Sequence, residues 1–341
     1  MDFKKLIESK EYDFLRTDEH LGNRIILLTL GGSYAYGTQR DDGQSDVDIR
    51  GIALERPSDL IGFTEFEQVI ERETDTTIYA FNKMIGLLLN CNPNTIECLG
   101  SKPGHYLYLS DIGQSLLDNK KMFISKRCIN SFSGYAGAQL ARLENALARD
   151  RLPQMKKEEH ILNSIRNAMT SFKSRYTAFE GNSIFLDIRD SLKTDMDKEI
   201  YVNINLNDYP LRDLTSILTE MDNIVRLYGK INHRNKKKDD NHLDKHAMHL
   251  IRLYLMALDL LEKEDIITYR SENLDLLRSI RQGKFRKEDG TYGSSFFEMI
   301  EEYKKRLIYA AENTSLPDEP DLKKVEEFVM EVNTKIVKGL I

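Results

Sequence analysis

Asp46 and Asp48 are the residues from which chemistry can be read first. They alternate with Val47 and Ile49 in the run Asp46 to Ile52, which predicts a β-strand with one polar and one apolar face. Side chains two apart on a strand point the same way. Both carboxylates would therefore crowd one side, where they would repel unless a cation lay between them. Mg²⁺ suits such a pair, because it prefers oxygen ligands and keeps much of its water. Two such ions could activate an attacking oxygen and neutralise a leaving phosphate.

Upstream lies Gly31-Gly32-Ser33, at the end of the apolar, β-branched run Ile25 to Leu30. This reads as a strand entering a glycine turn. Bare glycines let the backbone approach a ligand, and its N–H groups can cradle phosphate oxygens. The Ser33 hydroxyl adds a donor. A Gly-Gly-Ser turn alone is ordinary, and so is Asp-x-Asp on a strand; together at this spacing they point to a nucleoside triphosphate held beside its metals. Arg50 shares the face of Asp46 and Asp48 and could pair with them or with a phosphate. No Gly-x-x-x-x-Gly-Lys-Ser/Thr loop, kinase motif set or His-Glu-x-x-His is present.

The stretch from Gly31 to Arg50 resembles the DNA polymerase beta-like nucleotidyltransferase superfamily, with its Gly-Ser, spacer and Asp-x-Asp. More narrowly, Gly32 to Thr38 with Ser45 to Asp48 is similar to a bacterial and phage group described only as predicted nucleotidyltransferases. Asn92-Pro93-Asn94 with Glu97, and Lys245 to Arg252, extend that likeness. The resemblance implies that Gly32 and Ser33 contact the donor triphosphate, ATP, and that Asp46 and Asp48 bind two Mg²⁺. It also asks for a third catalytic, metal-binding carboxylate. Asp75 is the choice, on an extended stretch at 65–79, with Glu71 and Glu73 as alternatives on the same face.

The positioning elements follow. Periodicity predicts a helix from near Tyr79, stopped by Asn92-Pro93. Further helices are expected at 122–150, 156–177, 212–231, 241–264, 271–283, 292–310 and 322–338, the last capped by Asp321. Two short strands near 183–206 suggest an inserted hairpin, and the charged run 232–242 a loop. The expected fold is α+β: a small mixed-sheet catalytic domain over 1–110 and a mostly helical domain over 111–341. On the 241–264 helix, Lys245, His249 and Arg252 share one face and could meet the phosphates or the base of the donor.

The composition bounds the partners. In 341 residues the formal net charge is -6, so no basic surplus invites long nucleic acid. The acceptor could be a protein hydroxyl, a small molecule or a tRNA end. The 3 cysteines show no Cys-x-x-Cys spacing, and neither a signal peptide nor a membrane span is visible. A cytoplasmic transferase is therefore expected. Two other readings remain open. One is a non-catalytic, nucleotide-binding regulatory protein. The other is a toxin-like protein whose helical part acts on RNA through Arg226 and His233.

Overall fold

Six consecutive buried residues, Ile25–Leu30, form β1, the strand on which the sheet is built. A strand buried along its whole length has no polar face, which is why β1 lies inside the sheet. It pairs antiparallel with β2 (Ile49–Ala53) on one side and with β5 (Tyr106–Leu109) on the other. β2 pairs in parallel with β4 (Thr76–Ala80), and β3 (Gln68–Glu71) closes that edge, giving the order β3-β4-β2-β1-β5. The computed structural model describes residues 2–40, 45–151, 184–192, 198–204 and 240–341, with scattered positions between 156 and 226.

Register divides the sheet into two faces. Leu28, Leu30, Ile49, Ala53, Ile78 and Ala80 join Tyr12, Leu15 and Leu21 of the N-terminal segment in one apolar core. On the opposite face Thr29, Arg50 and Thr77 form a row across three strands.

The chain forms two compact units. One comprises Met1–Ala138, Met248–Gln282 and Ser294–Ile341; the other comprises Gln139–Ala247 and Gly283–Gly293. The helices Ser294–Asn313 and Leu322–Val337 thus share a unit with the sheet, and residue 110 is not where the units part. Asp321 caps the second of these, its side chain accepting from Lys324 N at 3.1 Å. In the other unit β6 (Ile184–Asp190) and β7 (Lys198–Ile204) make the expected antiparallel hairpin. There Asp244 accepts from Tyr292 Oη at 2.7 Å and pairs with Arg286 at 2.8 Å. The helix Asp240–Lys263 contributes residues to both units.

Several boundaries differ from expectation. β2 starts at Ile49 rather than at the acidic pair, because its parallel pairing begins only at Ile49 and Thr76. The stretch at 65–79 is a hairpin, with Asp75 in its turn at φ +49°. Asp is among the few residues that tolerate this left-handed region. The helix expected from Tyr79 runs Phe81–Leu89, since Tyr79 and Ala80 still pair in β4. Most of 156–177, 212–231 and 232–242, with His233, lies outside the described residues. Arg226 is described: it is exposed and paired with Asp222 at 2.6 Å. Among the described residues no helix is long and apolar enough to cross a membrane.

Candidate active site

The corner where β1 ends is built around two glycines. Gly31 N donates to the Asp48 carbonyl at 2.8 Å, which carries the β1–β2 pairing one step past Ile49. A Cβ on Gly31 would lie 3.2 Å from both Asp48 Cβ and Arg50 Cγ. At Gly32 the constraint is tighter. Its φ is +53°, and a Cβ there would stand 1.8 Å from Asp48 Oδ2. The Asp48 carboxylate occupies the space a side chain would need.

The glycine turn read from the sequence is the start of a short helix, Gly32–Tyr36. Ala35 N donates to the Gly31 carbonyl at 3.2 Å as the first helical bond. Gly32, Ser33 and Tyr34 are thus first-turn residues, whose amides find no acceptor within a helix. Gly37 ends the helix at φ +80°, against the ring of Tyr269.

Asp46 and Asp48 lie just before β2. Asp46 is exposed and Asp48 half-buried, and Val47 between them packs on the core. The Arg50 guanidinium is committed locally. It donates to the carbonyls of Ile49 at 2.9 Å and Asp75 at 2.7 Å, and its second nitrogen stands 3.6 Å from Asp48 Oδ1. This is the ion-pair option for Arg50, and it braces the Asp75 turn against the start of β2. Ile49 N also donates to the Asp75 carbonyl, at 3.3 Å. The backbone of Asp75 is therefore held beside Asp48, although its side chain comes from a turn and not from a strand. Glu71 pairs with Thr76, on the face opposite to Arg50 and Thr77, and Glu73 lies in the turn. The three acidic residues thus do not share a face.

The donor set for a metal is oxygen-only, which suits Mg²⁺. Among the described residues no three His, Cys, Asp or Glu side chains converge enough to hold an ion, so Asp75 does not join Asp46 and Asp48 as the expected trio. Two carboxylates still fit Mg²⁺, which is commonly held by one or two carboxylates plus substrate phosphates. The bare Cα of Gly32 under Asp48 leaves that carboxylate close to the first-turn amides.

The basic line on the helix is dispersed. Lys245 is exposed and belongs to the second unit. His249 is half-buried and its Nδ1 faces Arg252 at 2.9 Å. Arg252 is fully buried, so it does not present a guanidinium to phosphates. It donates to Glu97 Oε2 at 2.8 Å and to Met256 Sδ at 3.0 Å, and lies 3.7 Å from the centre of the Tyr36 ring. Tyr36 Oη in turn lies 2.9 and 3.0 Å from the two Glu97 oxygens. Burial pushes the Tyr36 hydroxyl well above its ordinary range; Arg252 opposes this, while Glu97 and Asp48 add to it. The hydroxyl is thus fixed as a donor. The sequence pointed to Glu97 and Tyr36 only through the family likeness and gave neither a role. The available signal was a lone acid inside the apolar run Thr95 to Leu99.

Residues 6–171 match the model of the family described as RlaP, RNA repair pathway DNA polymerase beta family. Over this segment the chain is similar to a DNA polymerase beta-like family. The family is nucleotidyltransferase-like, and the matched residues contain the Gly32-Ser33 helix start, Asp46, Asp48 and Glu97. No curated protein and no solved structure matches the chain.

Proposed function

We propose that this polymerase beta-like chain moves a nucleoside monophosphate, AMP from ATP, onto a hydroxyl acceptor with release of pyrophosphate, in a Mg²⁺-dependent reaction. The observation that carries the reading is the contact of the Asp48 carboxylate with Gly32. It couples an acidic group to the first-turn amides of a helix, the combination a triphosphate and its cation require.

In this reading the amides of Gly32 and Ser33 and the Ser33 hydroxyl bind phosphate oxygens of the donor. Asp46 and Asp48 would hold Mg²⁺, and Asp75, which does not converge with them, is the candidate proton acceptor rather than a third ligand. Magnesium, when bound, offsets phosphate charge and favours the deprotonated acceptor. Arg50 keeps Asp48 and the Asp75 turn in place. The acceptor oxygen attacks the α-phosphorus, the bond to the β-phosphate oxygen breaks, and pyrophosphate leaves. The hydroxyl proton passes to a carboxylate of this corner, for which the register favours Asp75 over Glu71.

Of the three acceptor classes, the family description favours an RNA end over a protein hydroxyl or a small molecule. The acidic chain fits contact with a short end better than with a long duplex. The test incubates the protein with each α-labelled nucleoside triphosphate, Mg²⁺ and RNA ends, protein or small-molecule fractions. Label should move to one fraction, preferentially from ATP, and vanish with chelator and in Asp46→Asn and Asp48→Asn. Transfer that persists in both variants would refute the assignment.

A further inference from the structure

A helix of five residues cannot hold itself together, because nucleation costs more than its few hydrogen bonds return. The Gly32–Tyr36 helix must therefore be held by contacts from elsewhere. At its start Gly31 is tied to the Asp48 carbonyl, Gly32 packs under the Asp48 carboxylate, and the Tyr34 ring meets Phe3 edge-on. Its far end is gripped more heavily. The Tyr36 hydroxyl meets both oxygens of Glu97, the Tyr36 ring carries Arg252, and the Tyr36 carbonyl accepts from Arg270 N at 3.3 Å.

Glu97 is itself fixed. Arg252 donates to its carboxylate, and Thr268 Oγ1 donates to its carbonyl at 2.6 Å. Arg252 is held by Glu97, by Met256 and by His249. Since arginine only donates, the Nδ1 of His249 must accept, so His249 carries its ring proton on Nε2. The chain of contacts runs Tyr36, Glu97, Arg252, His249 and joins residues far apart in sequence. Packed apolar side chains could fill this volume with similar stability. What they could not do is fix direction: a hydroxyl shared by two carboxylate oxygens sets the rotation of the tyrosine and of the helix that ends on it.

We propose that Glu97, Arg252 and Tyr36 form a buried latch that positions the Gly32–Ser33 helix start against Asp48, making them positioning residues for the donor triphosphate. The latch itself is independent of the proposed reaction; its consequence for the triphosphate rests on that reading. Neither Glu97 nor Arg252 needs to touch the substrate.

Tyr36→Phe tests this with little risk to folding, because it keeps the ring over Arg252 and removes only the hydroxyl. Glu97→Gln is the harsher variant, and it leaves the Arg252 charge buried without its counterpart. Amide hydrogen exchange on the full chain reads the latch directly. In Tyr36→Phe the bonded amides of residues 35–38 should exchange about tenfold faster, while those of β1 and β2 keep their rates. In the transfer assay the same variant should raise the KM for the triphosphate about tenfold and lower kcat less. Unchanged exchange at 35–38, or equal acceleration throughout the sheet, overturns the latch. Wild-type protein that transfers no label while Tyr36→Phe still loosens 35–38 refutes the transferase reading and leaves the latch standing.

Discussion

Two carboxylates flank the same strand and are used in opposite ways. Asp48 precedes β2 and Glu55 follows it by two residues. Glu55 is only 4% exposed and accepts from Asn82 N at 2.8 Å, capping the helix Phe81–Leu89 from outside that helix. Asp48 lies half-buried over a glycine at the start of a helix too short to stand alone. An acid that satisfies the amides of a long helix completes a structure. An acid packed over the first glycine of a short one fixes where that helix begins. Proximity of a carboxylate to a helix start therefore does not by itself define a site.

The strongest way to break this contrast is to neutralise each acid in turn. Asp48→Asn should cut label transfer by about 100-fold or more, because several kcal/mol of charge stabilisation depends on the metal it would hold. Glu55→Gln should leave the rate within about twofold, since the amide oxygen can still accept from Asn82. Equal losses in single-turnover assays would end the distinction.

Gly32→Ala comes next. The left-handed backbone costs a side chain about 1–2 kcal/mol, and the methyl must also displace the Asp48 carboxylate. Denaturant melts should show that loss of stability, together with a fall in transfer comparable to Asp48→Asn. A variant that is less stable yet fully active would separate Gly32 from the site.

Smaller effects sharpen the structural side. Burial raises the pKa of Glu55, opposed by its bond from Asn82. The folded state therefore favours the protonated form, and this contribution to stability is present below pH 4.5 and fades as pH rises through the folded value. Glu55→Gln should gain stability relative to wild type as pH climbs through that window, read as Tm against pH. A constant difference would contradict it. His105 is buried like Glu55 but basic, so the sign reverses. Burial, with Lys102 adding, holds it down to about 4, and its stabilising contribution is lost as pH falls from 6.5 through 4. His105→Gln should flatten that part of the acid limb.

The legible parts of the site were local. Ile25 to Leu30 announced a strand, and Gly32-Ser33 with Asp46 and Asp48 announced the corner, because residues close in sequence carry both signals. The turn at Asp75 was hidden: Glu-Arg-Glu-Thr-Asp contains no Gly, Pro or Asn to mark it, and its threonines read as strand. Arg252 was misdirected for a different reason. Helical spacing gives the line on which a side chain lies but not what that line faces, and its partner Glu97 comes from far upstream. The role of Tyr36 was hidden for the same reason, since its hydroxyl meets Glu97 from far downstream.

The sharing of one unit by the sheet and the last two helices has a consequence for biosynthesis. Lys126 N donates to the Pro317 carbonyl at 2.9 Å, Asp321 N to the Met122 carbonyl at 3.0 Å, and Asn333 Nδ2 to Asn82 Oδ1 at 3.1 Å. Each joins a residue made early to one from a much later part of the chain. A ribosome that has released the sheet has not yet released the later segments of its unit, so these contacts of Asn82, Met122 and Lys126 form only after the intervening chain has been made.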